Sequence, residues 1–507
     1  MGILYLSAII MSTLEQENIA LRQENFVLKE RINQLERLIF SSKRERFVPT
    51  ELPGQGSLFD VEELEVKQPV EQEVVVVKTK VKPKKKPNKP VKRNQFPAEI
   101  RREETIINPE GDIEGLTKIG QDETELLSYK PAEIYIKKII RPRLVDNKDE
   151  DKGVLQANIP PRLIPKGMVD ESLVAQLIIE KILFHTPVYR FAKKLRLLGI
   201  DFIKQNNLYN WFHRGAESLI PLYYLLQQEV LNSGYVQADE SHIKVLTKNK
   251  PEAAHRGQMW VYFSPIINAV FFNYDPKRDI RAAKEILEYY EGIIQSDGYS
   301  VYQKIAASRL IQLIHCFAHA RRKFFEAKIS HPQLAEFFLS LIQQLYNIEQ
   351  KARNQKMSPQ QRLELRQKEA IPILNQLYNA LLEKSADRNI LPKSLMRKAI
   401  DYSLKLWEGL CAYAHNGLLE IDNNLVENTI RPIALGRKNY LFAGSHDAAQ
   451  NLAVLYSIVA SCEKNNINTF KYLNWILRKV ANNKITPQAV QWLPHNIDPK
   501  ILDEFNL

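Results

Sequence analysis

The chain has 507 residues and a formal net charge of +12, and 44% of its residues are hydrophobic. This length exceeds what one hydrophobic core normally serves, so a protein of several structural units is expected. The excess of basic residues is more easily matched to a polyanion than to an acidic protein.

Cysteine usage and hydropathy exclude several classes of protein. Cys316, Cys411 and Cys462 lie far apart, which rules out a disulfide framework and a cysteine-based zinc knot. No apolar run approaches the roughly 18 to 20 residues that cross a bilayer, and the opening MGILYLSAII lacks the features of a signal peptide. We therefore expect a soluble protein of the cytoplasm with no membrane partner.

A heptad pattern marks the start of the chain. Asn18 and Asn25 occupy one seam position of this pattern, and leucines occupy the other. The leucines are Leu14, Leu21, Leu28 and Leu35. Because a buried asparagine favours a parallel two-stranded coil, residues 12–40 are predicted to form a coiled coil that makes the protein a homodimer. A single amphipathic helix packed on its own protein is the alternative.

The next segments change in composition. Residues 41–95 begin with an acidic stretch and continue into the proline-containing KTKVKPKKKPNKPVKR. This composition is typical of a disordered, basic linker. This linker either is a solvated tether or contacts DNA phosphates without sequence preference. Residues 96–165 are rich in residues that favour β-strands, as in AEIYIKKIIRPRLV, and are predicted to form a small β-rich module.

Residues 166–232 have apolar positions at helical spacing, and Gly199 separates one helix from the next. The pattern is typical of a helix-turn-helix that binds DNA, although a plain helical hairpin would look the same. Basic residues on the polar faces favour DNA binding. They are Lys193, Lys194, Arg196, Lys204 and Arg214.

The rest of the chain predicts an interrupted sheet domain. Periodicity over residues 233–325 gives the order β-β-β-α-β-α-β, which is that of a ribonuclease-H-like mixed sheet. Residues 326–418 are almost wholly helical, residues 419–462 complete the core, and residues 463–507 form a helical tail. The sequence thus predicts a multidomain α+β protein with an N-terminal coiled coil, a helix-turn-helix-like region and a mixed-sheet core with an α-helical insertion.

Acidic residues mark the ends of two predicted strands. Asp239 ends the first strand of this core, and Asp297 ends the fourth, which lies beside the first. Two carboxylates held close together repel each other unless a divalent cation neutralises them, and Mg²⁺ accepts oxygen ligands while leaving positions for phosphate. Glu427 is the candidate third acid. A carboxylate-pair enzyme such as a glycosidase is an alternative, but the zipper and basic linker would have no role in it.

Four stretches together resemble the transposases of the insertion-sequence-66 family. They are QADESHIKVL, QSDGYSVY, HCFAHARRKF and DNNLVENTIRPIALGRKNYLFAGS. The resemblance implies a DDE transposase that acts with Mg²⁺ or Mn²⁺. By motif, Asp239, Asp297 and Glu427 match the three acids that serve as catalytic residues and metal ligands.

Two nearby acids compete with these assignments, and basic residues accompany them. Glu240 adjoins the first acid, and Asp422 precedes the third but is better placed as the N-cap of the helix that carries it. Two basic clusters are expected to hold phosphates next to the scissile bond, and a solvated or salt-bridged surface is their alternative role. They comprise Arg321, Arg322, Lys323, Arg431, Arg437 and Lys438.

The resemblance also sets expectations about partners. It implies double-stranded DNA as partner, at the element's terminal inverted repeats and at the target, in a nucleoid-associated bacterial protein that accessory proteins of the same element could assist. A catalytically inactive DNA-binding relic or repressor remains the alternative function. Family members usually carry a cysteine-rich zinc module before the helix-turn-helix, but the matching residues 108–161 contain neither Cys nor His, so no zinc is expected.

Overall fold

The computed structural model describes residues 161–504, except for residues 166, 248–249, 279, 308–309 and 483–484, together with residue 134 and two short strands. These strands, β1 (Arg143–Val145) and β2 (Val154–Gln156), pair antiparallel. The predicted coiled coil and basic linker lie outside the described residues, as does most of the β-rich module. None of the described helices combines the length and apolar character needed to cross a membrane.

In the described part of the chain, four helices precede the large sheet. They are α1 (Glu171–Ile182), α2 (Val188–Leu197), α3 (Gln205–Ser218) and α4 (Ile220–Asn232). The Asp170 carboxylate caps α1 by accepting a hydrogen bond from the Ser172 amide at 3.0 Å. Gly199 has a φ of +82°, a conformation that favours glycine and allows the chain to turn between α2 and α3. Leu208, Trp211 and Phe212 anchor α3 in the core.

The mixed sheet expected from the sequence is present and has five strands in the order β5-β4-β3-β6-β7. Its first three strands are antiparallel, and β6 and β7 are parallel to β3. The strands are β3 (Tyr235–Thr247), β4 (Lys250–Ser264), β5 (Ala269–Asp275), β6 (Gly292–Ser296) and β7 (Ile311–His315). Two short helices make the crossovers: α5 (Ile280–Ile286) before β6 and α6 (Ser300–Ala306) after it.

Helices beyond β7 form a second hydrophobic core beside the sheet. They are α7 (Phe317–Ala327), α8 (Pro332–Asn354), α9 (Pro359–Leu365), a π-helical turn (Arg366–Ala370), α10 (Ile371–Ser385), α11 (Leu395–Lys405), α12 (Trp407–Cys411) and a 3-10 turn (Ala412–His415). The chain then returns to the sheet through residues 416–423. Helix α13 (Asn424–Tyr440) follows this return segment.

Helix α14 covers an edge of the sheet. The outer edge of β5 presents backbone N–H groups that no further strand satisfies, and the hydroxyl groups of Ser457 and Ser461 accept hydrogen bonds from the Phe272 and Val270 amides. This arrangement protects the edge from pairing with another chain. The remaining elements are α14 (His446–Lys464), α15 (Thr469–Asn482), a 3-10 turn (Pro487–Trp492) and α16 (Pro499–Glu504).

Candidate active site

Asp239 and Asp297 lie at equivalent places on neighbouring strands. The parallel pairing of β3 with β6 ends at the pair Gln237 and Gln295, and each aspartate follows its glutamine by two residues. The expectation that Asp239 ends its strand was wrong, because β3 continues to Thr247, held by its antiparallel pairing with β4. The two carboxylates therefore meet where β6 ends and not where β3 ends.

The electrostatics of Asp239 link it to the other predicted acids. Burial raises the pKa of this half-buried carboxyl group well above its ordinary value, and the charges of Glu427, Glu240 and Asp297 raise it further. The Glu240 amide donates a hydrogen bond to Asp239 Oδ1 at 2.8 Å, which opposes the shift only in part. Asp239 thus experiences the repulsion that a cluster of carboxylates produces.

A tight turn fixes Asp297. Its Oδ1 accepts a hydrogen bond from the Tyr299 amide at 2.9 Å, and its carbonyl oxygen accepts one from the Tyr402 hydroxyl at 2.7 Å. Gly298, between Asp297 and Tyr299 in the sequence, has a φ of +90°. A Cβ atom at this position would lie 2.9 Å from the Leu406 side chain. A residue with a side chain at position 298 would therefore strain the turn and press on the helical insertion. Sequence reasoning missed the role of Tyr402, because no local pattern links it to Asp297.

Glu427 lies in the first turn of α13, and 18% of its side chain is exposed. One carboxylate oxygen lies 3.7 Å from His319 Nε2 on α7. The Phe317 amide at the start of α7 also donates to the Ile421 carbonyl at 3.1 Å, so α7 and the return segment are joined beside the site. Helix α13 thereby presents Glu427 to the side of the sheet that carries Asp239.

The competing acids have other partners. Glu240 accepts a hydrogen bond from Arg278 at 2.5 Å, and the Arg278 guanidinium lies over the Tyr299 ring at 4.8 Å. Arg278 was missed from the sequence because it lies in a loop with no periodic pattern. Burial raises the pKa of Glu240, and Arg278 opposes that rise.

Asp422 is buried and accepts hydrogen bonds at the start of α13. Its Oδ1 accepts from the Asn424 amide at 3.1 Å and its Oδ2 from the Asn424 side-chain amide at 2.8 Å. The helix begins at Asn424 with Asn423 as N-cap, so the prediction that Asp422 is the N-cap was wrong by one residue. Its carboxylate nevertheless satisfies an N-terminal amide from that position.

The acids around Asp239 offer carboxylate oxygens, which are the type of ligand that a hard cation such as Mg²⁺ prefers. In the described part of the chain, no group of three or more His, Cys, Asp or Glu side chains is assembled closely enough to hold a metal ion. Mg²⁺ sites in proteins often use only one or two carboxylates and complete their coordination with water and substrate phosphate. The mutual repulsion at Asp239 is the observation that fits such a cation.

The basic residues of the helical region differ in their surroundings. Lys193, Arg196 and Lys204 are exposed and form no ion pair with any residue that the structure describes. Lys194 instead pairs with Glu180 at 2.6 Å, and Arg214 pairs with Glu217 at 3.3 Å. The first three cations are therefore the ones available to a polyanion.

Further basic residues lie on α7 and α13. Lys323 on α7 lies over the Tyr402 ring at 4.6 Å, beside the turn of Asp297, and the adjacent Arg321 and Arg322 are half-buried. Arg437 and Lys438 line a shallow hollow of about 520 Å³ with His242 and Lys244. Burial lowers the pKa of His242 to about 4, and the charges of Arg437, Arg256 and Lys244 lower it further. This hollow is a concentrated positive surface, and Arg431 lies exposed earlier on α13.

Comparisons with known proteins agree with the motifs. The family described as Transposase IS66 family matches residues 166–451, and a second family, Transposase C of IS166 homeodomain, matches residues 27–105. Two similar proteins come from Sinorhizobium fredii (strain NBRC 101917 / NGR234). The uncharacterized protein y4jD is 30% identical over 417 residues, which cover 78% of this chain and 80% of that protein. The uncharacterized protein y4qI is 30% identical over 440 residues, which cover 82% of this chain and 79% of that protein.

No solved structure gives a significant match to the chain. The first family match nevertheless extends from the helices before the sheet to α14, across more than half of the sequence. It includes the segments that carry Asp239, Asp297 and Glu427. The chain therefore belongs to the IS66 family of transposases.

Proposed function

We propose that the protein is a DDE transposase that cleaves the ends of its own insertion sequence and joins them to target DNA. The register that places Asp239 and Asp297 each two residues beyond the paired Gln237 and Gln295 carries the proposal, and the charge of Glu427 also acts on Asp239. Carboxylates gathered on a partly buried sheet are costly without a cationic ligand. The strand order β5-β4-β3-β6-β7 supports a ribonuclease-H-like core, and residues 326–418 are its helical insertion. The order predicted from periodicity, β-β-β-α-β-α-β, is the basis of this assignment.

The chemistry follows from these groups. Asp239, Asp297 and Glu427 would hold Mg²⁺ or Mn²⁺, and such an ion would supply activation of the attacking water and stabilisation of charge on the leaving oxygen. Water attacks the phosphodiester at the end of the element and releases a 3′-hydroxyl group. That hydroxyl group then attacks a target phosphodiester, so one bond forms as another breaks. Lys323, beside the turn of Asp297, and Arg437 and Lys438, farther along α13 from Glu427, are proposed to orient phosphates through charge.

The direct test is cleavage of DNA that contains the ends of the element. We expect purified protein to cut such DNA with Mg²⁺ or Mn²⁺, but not in the presence of EDTA, and to leave DNA with scrambled ends uncut. Specific binding without cleavage under every metal condition would support a DNA-binding relic or repressor instead. Cleavage of both DNAs alike would contradict recognition of the ends.

Exposed cations on α2 are proposed to contact the DNA backbone. Replacing Lys193 and Arg196 with alanine is expected to weaken binding to specific and scrambled DNA alike. Each phosphate contact that is lost should reduce the slope of log affinity against log salt by about 0.9. Arg214→Ala is the matched control, since Glu217 already neutralises this arginine. Fluorescence anisotropy at several salt concentrations measures the slope, and an unchanged slope in the double variant would exclude these contacts.

A homodimer through residues 12–40 is proposed to hold two element ends. Replacing Leu21 and Leu28 with alanine is expected to shift the protein toward monomer, because leucine at these seam positions supplies most of the buried area of the coil. Gln23→Ala together with Glu30→Ala, at outward positions of the same heptads, is the control. Light scattering at micromolar concentration measures the mass, and a monomeric unmodified protein would refute the proposal.

A further inference from the structure

Three polar side chains lie fully inside the protein beneath the acids. Tyr235 and Gln237 on β3 and Gln295 on β6 are 2%, 0% and 0% exposed. Glutamine is seldom buried unless its amide group is hydrogen-bonded, because an unsatisfied polar group in the core is costly. The two glutamines are directly paired across the strands, and each precedes a candidate catalytic aspartate by two residues.

These three side chains are hydrogen-bonded to one another. The Tyr235 hydroxyl donates to Gln295 Oε1 at 2.6 Å, and Gln237 Nε2 donates to the same oxygen at 2.9 Å. The cluster therefore locks β3 to β6 at the last pair before the two aspartates. Its other hydrogen bonds are made with the chain segment that follows the helical insertion.

That chain segment includes the return segment. Gln295 Nε2 donates to the Glu420 carbonyl at 2.8 Å, and the Glu420 amide donates to the Tyr235 hydroxyl at 3.1 Å. Gln237 Nε2 also donates to the Asp422 carbonyl at 2.9 Å. Both strands that carry the aspartates are thus bonded to the backbone that leads into α13.

One further hydrogen bond joins Gln237 to helix α13 itself. Gln237 Oε1 accepts from the Val426 amide at 3.2 Å, and Val426 immediately precedes Glu427. The Val426 amide also donates to the Asn423 carbonyl at 3.1 Å, and the Asn423 side chain at the N-cap makes no capping hydrogen bond. Gln237 therefore adds, from a neighbouring strand, a side-chain acceptor to the first turn of α13.

We propose that Gln237 and Gln295, with Tyr235, are positioning residues that set the third acid against the first two. The inference rests on the proposed function. The chain leaves the sheet after β7 and returns only at residue 416, so contacts on the return segment and on α13 help to decide where Glu427 lies. Gln237 provides this link, because it is two residues from Asp239 and bonds the residue before Glu427.

The test compares Gln237→Met and Gln295→Met with Ser457→Ala. Methionine keeps the shape of glutamine but makes none of its hydrogen bonds, and Ser457→Ala removes a buried bond to the Phe272 amide at the far edge of the sheet. All three variants are expected to lower the melting temperature. Only the glutamine variants are expected to weaken Mn²⁺ binding, measured by calorimetry, and cleavage, each by about 10- to 100-fold. If a methionine variant does not fold, Tyr235→Phe, which loses only one hydroxyl group, replaces it in the same measurements.

A double-variant experiment separates positioning from a general loss of stability. Adding Gln237→Met to Glu427→Gln is expected to cause no further loss of residual cleavage, since no third carboxylate remains to be placed. Glutamine variants that melt earlier but keep wild-type Mn²⁺ affinity and cleavage would overturn the inference. Failure of the wild-type protein to cleave would instead count against the proposed function, and the calorimetric comparison would still test the positioning role.

Discussion

Replacing Glu427 with glutamine is expected to reduce strand cleavage by at least about a hundredfold while leaving folding and end binding nearly unchanged. The amide has the same shape as the carboxylate, but it supplies no negative charge for a cation. The substitution also removes one of the charges that raise the pKa of Asp239, so this pKa should fall toward its ordinary value. Cleavage of labelled end DNA measures activity, while circular dichroism and anisotropy measure folding and binding.

Neighbouring acids provide the controls for this prediction. Asp239→Asn and Asp297→Asn should lose cleavage to a similar degree. Glu240→Gln should keep most of it, because the carboxylate of Glu240 is already engaged with Arg278. Normal cleavage by a well-folded Glu427→Gln protein would remove Glu427 from the site, and Asp422→Asn would then be the variant to test.

Local patterns in the sequence were sufficient to predict the sheet. Strand and helix periods give the order β-β-β-α-β-α-β, and Asp297 followed by Gly298 marks the end of β6. Such features depend on neighbouring residues, so a single sequence displays them. The exact end of β3 was not predictable in this way, because antiparallel pairing with β4 extends that strand beyond Asp239.

The assembly of the site depends on contacts that sequence spacing does not encode. Gln237 in the strand YVQADES looks like any polar residue of a half-exposed strand, and only its pairing with Gln295 reveals a buried position. Arg278 likewise lies in a loop, and its partner Glu240 is distant along the chain. A buried polar cluster of this kind is specified by tertiary packing, so its members carry no local signature.

The helical insertion holds a buried ion pair whose loss is expected to be strongly destabilising. Arg366 and Glu349 are each 1% exposed, and Arg366 donates to both carboxylate oxygens at 2.8 and 2.7 Å. Arg366 also donates to the carbonyl groups of Tyr413, Asn416 and Leu419 at 2.8 to 2.9 Å. All its N–H groups are thereby used, and three of their acceptors lie just before or within the return segment.

Arg366→Met is expected to lower the free energy of unfolding by about 3 to 5 kcal/mol, because it leaves a buried carboxylate without its main partner and removes one hydrogen bond from each of three carbonyl groups. Arg362 lies 3.3 Å from Glu349 and retains part of the pairing, which places the expected loss near 3 kcal/mol. Urea denaturation monitored by circular dichroism measures the change. Arg397→Met, which removes carbonyl contacts of a partly buried arginine without an ion pair, is the control and should cost less.

The pair also predicts how stability depends on pH. Burial alone would raise the pKa of Glu349, but the hydrogen bonds and charge of Arg366, with the charge of Arg362, outweigh burial and lower this pKa below its ordinary value of 4.5. A carboxyl group whose pKa is lower in the folded state stabilises the fold above the unfolded-state pKa, and this contribution is lost as pH falls through the folded-state pKa. The difference in stability between wild type and Arg366→Met should therefore be full at neutral pH and shrink below about pH 4.

Replacing both partners tests whether the pair acts as a unit. Arg366→Met combined with Glu349→Leu should cost less than the sum of the single changes, since the double variant leaves no unpaired charge. Because Arg366 holds the backbone up to Leu419, and Tyr235 and Gln295 hold Glu420, the single Arg366 variant should also lose cleavage at temperatures where the sheet is still folded. Strictly additive losses, or cleavage that persists until the sheet unfolds, would show that the insertion does not help to hold Glu427 in the site.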